Sequence, residues 1–150
     1  MDAVTYPDDK VTDYISGKYI ALRLANNAEP YATDYMVKWT PRIIILDAAG
    51  QIHQSTIGFF SAEEFIPCLE LALAKADFNL NHLEESKIHL DLILNNHPKS
   101  LSAPEAIYFM GVTDYKLSGE AGPLKDAYNK LKDQYPDSEW TQRAMPYRLL

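Results

Sequence analysis

Residues 35–59, YMVKWTPRIIILDAAGQIHQSTIGF, constrain the fold more than any other stretch. A loop ends in Thr40-Pro41, and Ile43, Ile44, Ile45 and Leu46 then form an unbroken β-branched and apolar run. Such a run suits a strand covered on both faces, as in sheets with helices on each side. Asp47-Ala48-Ala49-Gly50 supplies a tight turn, and 51–57 alternates as a half-buried antiparallel strand does. Upstream, Val11, Tyr14 and Ile15 recur at helical spacing, which predicts a helix over 8–15 that Gly17 stops. KYIALRLA, residues 18–25, reads as another strand with 19–24 as its body. One or two helical turns fit 29–35.

From Ser61 onward the pattern is helical only. Ser61-Ala62-Glu63-Glu64 has the form of a capping box, and Phe65, Ile66, Leu69, Leu73 and Ala76 supply a helical face. Pro67 lies inside that pattern and should kink it. A second helix over 83–95 is expected to turn Ile88 and Leu92 inward, with Leu83 and Ile93 beside them, and Pro98 ends it. Ser102-Ala103-Pro104-Glu105 reads as another capping box, opening a helix that Gly119 terminates. Pro123 opens the next helix at an allowed first-turn position. Pro136 follows its end, and Asp137 or Ser138 caps a short last helix with Trp140 and Ala144 inward.

Several functional classes are disfavoured. A net charge of -7 with no basic stripe opposes binding to phosphate backbones. No apolar run approaches the roughly 20 residues that span a bilayer, and the acidic start MDAVTYPDDK is unlike a secretory signal. The single cysteine, Cys68, excludes a disulfide within the chain and fits a reducing compartment, so a cytoplasmic location is expected.

The order of signals in residues 1–78 resembles the thioredoxin-like family. MDAVTYPDDKVTDYISGKYIALRLA is similar to the segment that follows Cys-x-x-C there: a helix, a Met, a Thr-Tyr, an acidic loop, a Val and a strand. Thr40-Pro41 before Ile43 matches the step that faces the redox cysteines, and the resemblance implies a cis proline whose preceding backbone pairs with a bound peptide. It also implies that the chain begins inside the active-site helix, so both the Cys-x-x-C and the strand before it are missing. That strand is central in the family. Its loss leaves 19–24 and 43–47 without ladder partners unless they pair directly or another chain, including a second copy, fills the gap. A misassigned start is one explanation; a natural redox-dead variant is the other.

The helical part resembles tetratricopeptide-type hairpins, which recognise other proteins. Pro98 and Pro136 sit at corresponding repeat ends, close to the usual period of about 34 residues. Ala74, Phe78, Ser86 and Leu90 take small and large packing positions in one repeat; Ile107, Gly111, Tyr115, Ala127 and Tyr128 do so in the next. The expected fold class is therefore α/β plus all-α. An incomplete thioredoxin-like sheet over 1–78 packs on tetratricopeptide-like hairpins over 79–150, with the helix 61–78 shared.

The peptide-binding candidates are Trp39, Thr40, Pro41 and Arg42. A proline that merely starts a strand is the plainer reading of Pro41, and Trp39 either covers a bound peptide or tucks under the first helix. Cys68 reads as a small buried hydrophobe, not a nucleophile. His53, His82, His89 and His97 are dispersed and lack the i, i+4 spacing of helical metal ligands, so they read as solvent-facing. Asp8-Asp9, Glu63-Glu64 and Glu84-Glu85 lie at helix starts, where they suit the helix dipole better than acid–base catalysis. Tyr108, Tyr115 and Tyr128 read as core.

No catalytic residue, metal site or cofactor is expected. Thiol–disulfide exchange takes an attacking and a resolving thiol, and this chain has one cysteine. The expected function is a redox-inactive, thioredoxin-like protein-interaction module that binds a protein or peptide. The alternative is a fragment of a thiol–disulfide oxidoreductase whose Cys-x-x-C lies upstream; an upstream strand ending in Trp-Cys-x-x-Cys would decide for it.

Overall fold

The hairpin forms where the turn chemistry places it. In the computed structural model, which describes residues 1–150, β1 (Arg42–Leu46) and β2 (Ile52–Ile57) pair antiparallel as a sheet of two strands. Asp47 closes the turn by accepting hydrogen bonds from the Ala49 and Gln51 amides, both at 2.9 Å. Gly50 takes the left-handed φ of 81° that the turn requires. The ladder pairs Ile45 with Gln54 and Leu46 with Ile52, so His53 is an extra residue in β2. Such a bulge re-aims the side chain it carries, and His53 is buried as a result.

One expectation about this sheet fails, while β2 pairs antiparallel as expected. β1 is not covered on both faces: Ile43, Ile44 and Ile45 are half-buried and Leu46 is exposed, because a sheet of two strands lacks the flanking layers. In β2 the buried member is His53, while Ile52 and Ile57 face solvent.

The expected strand over 18–25 does not form. α1 (Asp9–Lys18) starts at its Asp8 cap, runs past Gly17 and ends when Tyr19 turns extended, at φ -133° and ψ 153°. Residues 20–24 then make no backbone hydrogen bond within the chain. Strand propensity is a preference for a pleated, paired environment, and no ladder partner lies beside this segment. α2 (Tyr31–Asp34) is a single turn.

α3 (Ala62–Asn79) continues through Pro67, and its Glu64 amide donates to the Ser61 hydroxyl at 3.3 Å, half of the predicted capping box. α4 (Leu83–Asn96), α5 (Ala103–Ser118), α6 (Gly122–Gln134) and α7 (Glu139–Ala144) follow, with a final 3₁₀ turn at Met145–Leu149. The fold is thus mostly helical with one small antiparallel sheet. No helix is long and apolar enough to cross a membrane. Gly119, left-handed at φ 74°, ends α5, Pro123 sits in the first turn of α6, and Ser138 caps α7, as the sequence predicts. Ser102 makes no cap bond: its backbone is already helical, so its hydroxyl does not face the free donors.

The chain divides into two compact units, Met1–Ile66 and Pro67–Leu150, and the division falls inside α3. In Met1–Ile66 only Thr5, Val11, His53 and Phe65 are buried. Tyr6 and Phe60 pack on Phe65 with ring centres 5.9 and 6.0 Å away, and the Thr5 hydroxyl donates to the Phe60 carbonyl.

Pro67–Leu150 has a fuller core. Leu71 and Ala74 of α3, Leu90 and Ile93 of α4, and Ala103 and Ala106 of α5 form one cluster. Ile107, Ala127, Leu131 and Ala144 form a second, with Tyr108, Trp140 and Tyr147 packed against it. The face of α4 differs from the expected one. Ser86 donates to the Ala74 carbonyl at 2.8 Å, which turns Leu90 and Ile93 inward and leaves Ile88 61% and Leu92 39% exposed. Tyr115 is likewise exposed, not core.

The Tyr108 and Tyr147 hydroxyls lie 3.0 Å apart. Burial, and then the hydrogen bond to Tyr108, push the Tyr147 hydroxyl up from the ordinary 10.0 to about 12. Its contribution to stability is therefore complete below pH 10 and is lost as pH rises through the folded value. Ultraviolet titration of the tyrosines should show a late step near that pH that Tyr147→Phe abolishes; a wild-type curve complete before pH 11 would contradict the packing (about one unit below the folded value).

Candidate functional site

The loop that holds Thr40-Pro41 lines a shallow depression together with Asn26. Trp39 is 71% exposed, so its ring is not tucked under the first helix. The Thr40–Pro41 peptide bond is cis, as is Glu29–Pro30, which sequence reasoning did not single out. The Pro41 carbonyl accepts the Gly58 amide at 3.0 Å, so it belongs to the hairpin. Trp39 and Thr40 make no backbone hydrogen bond within the chain. Arg42 opens β1; its Nη1 donates to the Met36 carbonyl at 3.4 Å, and its Nε, shielded from solvent, has no partner.

Asn26, Val37, Lys38, Trp39 and Thr40 line an open depression of about 230 Å³. That volume takes one or two side chains and falls below the usual range for a small-molecule site. Asn26 lies two residues beyond Leu24 in the sequence, where the segment without backbone hydrogen bonds ends. There Ile20, Leu22 and Leu24 are 102%, 74% and 45% exposed. The three alternate in the sequence, as residues on one face of an extended chain would, and the backbone of 20–24 makes no hydrogen bond within the chain. Arg23, between Leu22 and Leu24, pairs with Asp2 at 2.8 Å.

The histidine expectation is corrected at two positions. The His53 ring is fully buried, with Nε2 3.1 Å from Asp47 Oδ2. His89 is half-buried between two carboxylates of α3: Nδ1 contacts Glu70, and Nε2 lies 3.4 Å from Asp77, which also faces His82 at 3.6 Å. Glu70 and Asp77 are two turns apart on α3, and the α3–α4 hairpin brings His89 alongside. One signal was present in the sequence. Glu70 is the one charge inside the apolar run 65–74, and a charge in a buried stretch requires a partner. Cys68 is buried in the same run.

The Asp47 carboxyl is held below the ordinary carboxylate range. The Gln51 amide is the largest cause, followed by His53, with a smaller contribution from the Ala49 amide. A depressed folded value means that its support for the hairpin is complete above the unfolded value near 3.8 and is lost as pH falls through the lower folded one. Asp47→Ala should therefore weaken the hairpin at neutral pH and flatten its acid limb, read from the β1 and β2 amide resonances. An unchanged acid limb would remove Asp47 from this role.

No protein-family model, curated protein or solved structure matches the chain.

Proposed function

We propose that the chain is a protein-interaction module. Its N-terminal unit is a thioredoxin-like frame without redox cysteines, and its helical hairpins are of the tetratricopeptide-like kind. A partner protein offers an extended segment, which adds to the free backbone of residues 20–24 while one of its side chains enters the depression beside Trp39 and Thr40. This is strand addition, in which main-chain hydrogen bonds supply affinity and alternate side chains supply selectivity.

The observation that carries the reading is the row Ile20, Leu22 and Leu24, apolar and exposed on backbone with no hydrogen-bond partner. Exposed apolar rows of this kind on unpaired strands are the usual sites of pairing with another chain. Met1–Ile66 also buries few side chains and holds only two strands, and a lone hairpin is marginal in water. Small residues at the helix crossings, among them Ala74, Ser86, Gly111 and Ala127, support the tetratricopeptide-like reading. The single cysteine is in keeping with a reducing compartment such as the cytoplasm.

The test places a photo-crosslinking amino acid at position 22 and, as a control, at exposed position 130. One polypeptide captured repeatedly at 22 but not at 130, and shown after purification to protect the amides of 20–24 from exchange, supports the reading. A captured protein that protects only other regions, or equal capture at both positions, overturns it. Capture of a second copy would make the partner the chain itself.

A further inference from the structure

Helix α4 carries a second surface, independent of residues 20–24. Its buried side is Leu83, Ser86, Leu90 and Ile93, so the side chains at 84, 85, 88, 91 and 92 face away from the core. Ile88 and Leu92, one turn apart, form an apolar stripe there, 61% and 39% exposed. Glu84, Glu85 and Asp91 surround it and are exposed. The only cation among them, Lys87, is engaged by Asp114 of α5 at 2.6 Å. Its ammonium is held above the ordinary lysine range, chiefly by that hydrogen bond and further by the charges of Asp114, Glu84 and Asp91, which shows the sign of the local field.

We propose that the outer face of α4 docks a basic amphipathic helix of another protein, its apolar residues against Ile88 and Leu92 and its lysines or arginines against Glu84, Glu85 and Asp91. The length and spacing favour a helix. Residues at i and i+4 form the ridge that commonly packs between the ridges of a second helix, and acidic groups on both flanks complement cations beside an apolar seam. The same charges oppose the other occupants. Two copies meeting through this face would set Glu84, Glu85 and Asp91 against their own images, and an anionic membrane or nucleic acid would be repelled.

The probe is a synthetic amphipathic peptide of leucine and lysine, about 18 residues or five turns long, with a glutamate-for-lysine version as control. Titration into ¹⁵N-labelled protein should move resonances of the α4 outer face first. The double variant Ile88→Ser/Leu92→Ser should bind about ten-fold more weakly, the loss typical of removing an interface anchor, with unchanged helical circular dichroism. Glu84→Lys/Glu85→Lys should weaken binding and reduce its dependence on salt. Shifts centred elsewhere, affinity unchanged in the serine variant, equal binding of the glutamate peptide, or no binding each overturn the proposal. A dimer that forms through α4 and is lost in the serine variant overturns it in favour of a second copy.

Discussion

Substituting Gly111 by alanine will destabilise the protein by about 1–3 kcal/mol, the usual cost of overpacking a tight site. In an exposed helix the same change stabilises by roughly 1 kcal/mol, so the sign itself tests the packing. Gly111 lies in α5 where α6 crosses closest. A Cβ built there sits 2.5 Å from the Ala127 Cβ and 3.0 Å from the Pro123 carbonyl oxygen. Neither neighbour is the end of a flexible side chain, so α5 and α6 must move apart. The second cluster, with Ile107, Ala127 and Leu131, then loosens. Thermal or urea unfolding of Gly111→Ala measures the loss, and a variant as stable as wild type would mean that the two helices do not approach so closely.

The double substitution Ile20→Ser/Leu22→Ser should leave stability nearly unchanged and weaken partner binding about a hundred-fold. Changes at exposed sites usually stay within about 0.5 kcal/mol, and Ile20 and Leu22 have little to lose in the free chain. In the complex each is covered, at about 1.5–3 kcal/mol for a fully buried aliphatic side chain. Losing about 3 kcal/mol in all corresponds to roughly a hundred-fold weaker binding. A matched fall in melting temperature would mean instead that the row supports the fold of the free protein.

These two sites differ in how far the sequence reveals them. Gly111, Ala127 and the helix ends at Gly119, Pro123 and Ser138 are legible because caps and close contacts depend on residue type at a fixed position. The β1–β2 turn is legible for the same reason. The phase of α4 is not. Ile88 and Leu92 offer one apolar stripe, Leu83, Leu90 and Ile93 another, and the packing against α3 and α5, with the Ser86 bond to the Ala74 carbonyl, selects the second. Residues 20–24 have the composition of a strand, yet a strand exists only with a partner, and a single sequence does not say whether the partner is present. The loop at Trp39, Thr40, Pro41 and Arg42 was readable, whereas the approach of Asn26 to it depends on the path of the chain. The Glu70, His89 and Asp77 cluster joins two helices and was hinted at only by one charge in an apolar run.

Hydrogen exchange on the isolated monomer tests the central claim most directly. The amides of 20–24 should exchange at the rate of an unfolded chain, while those inside α5 and α6 are protected to near the global stability of their unit. Protection of 20–24 in the monomer would show that this backbone is already paired, and the surface proposed for the partner would not exist.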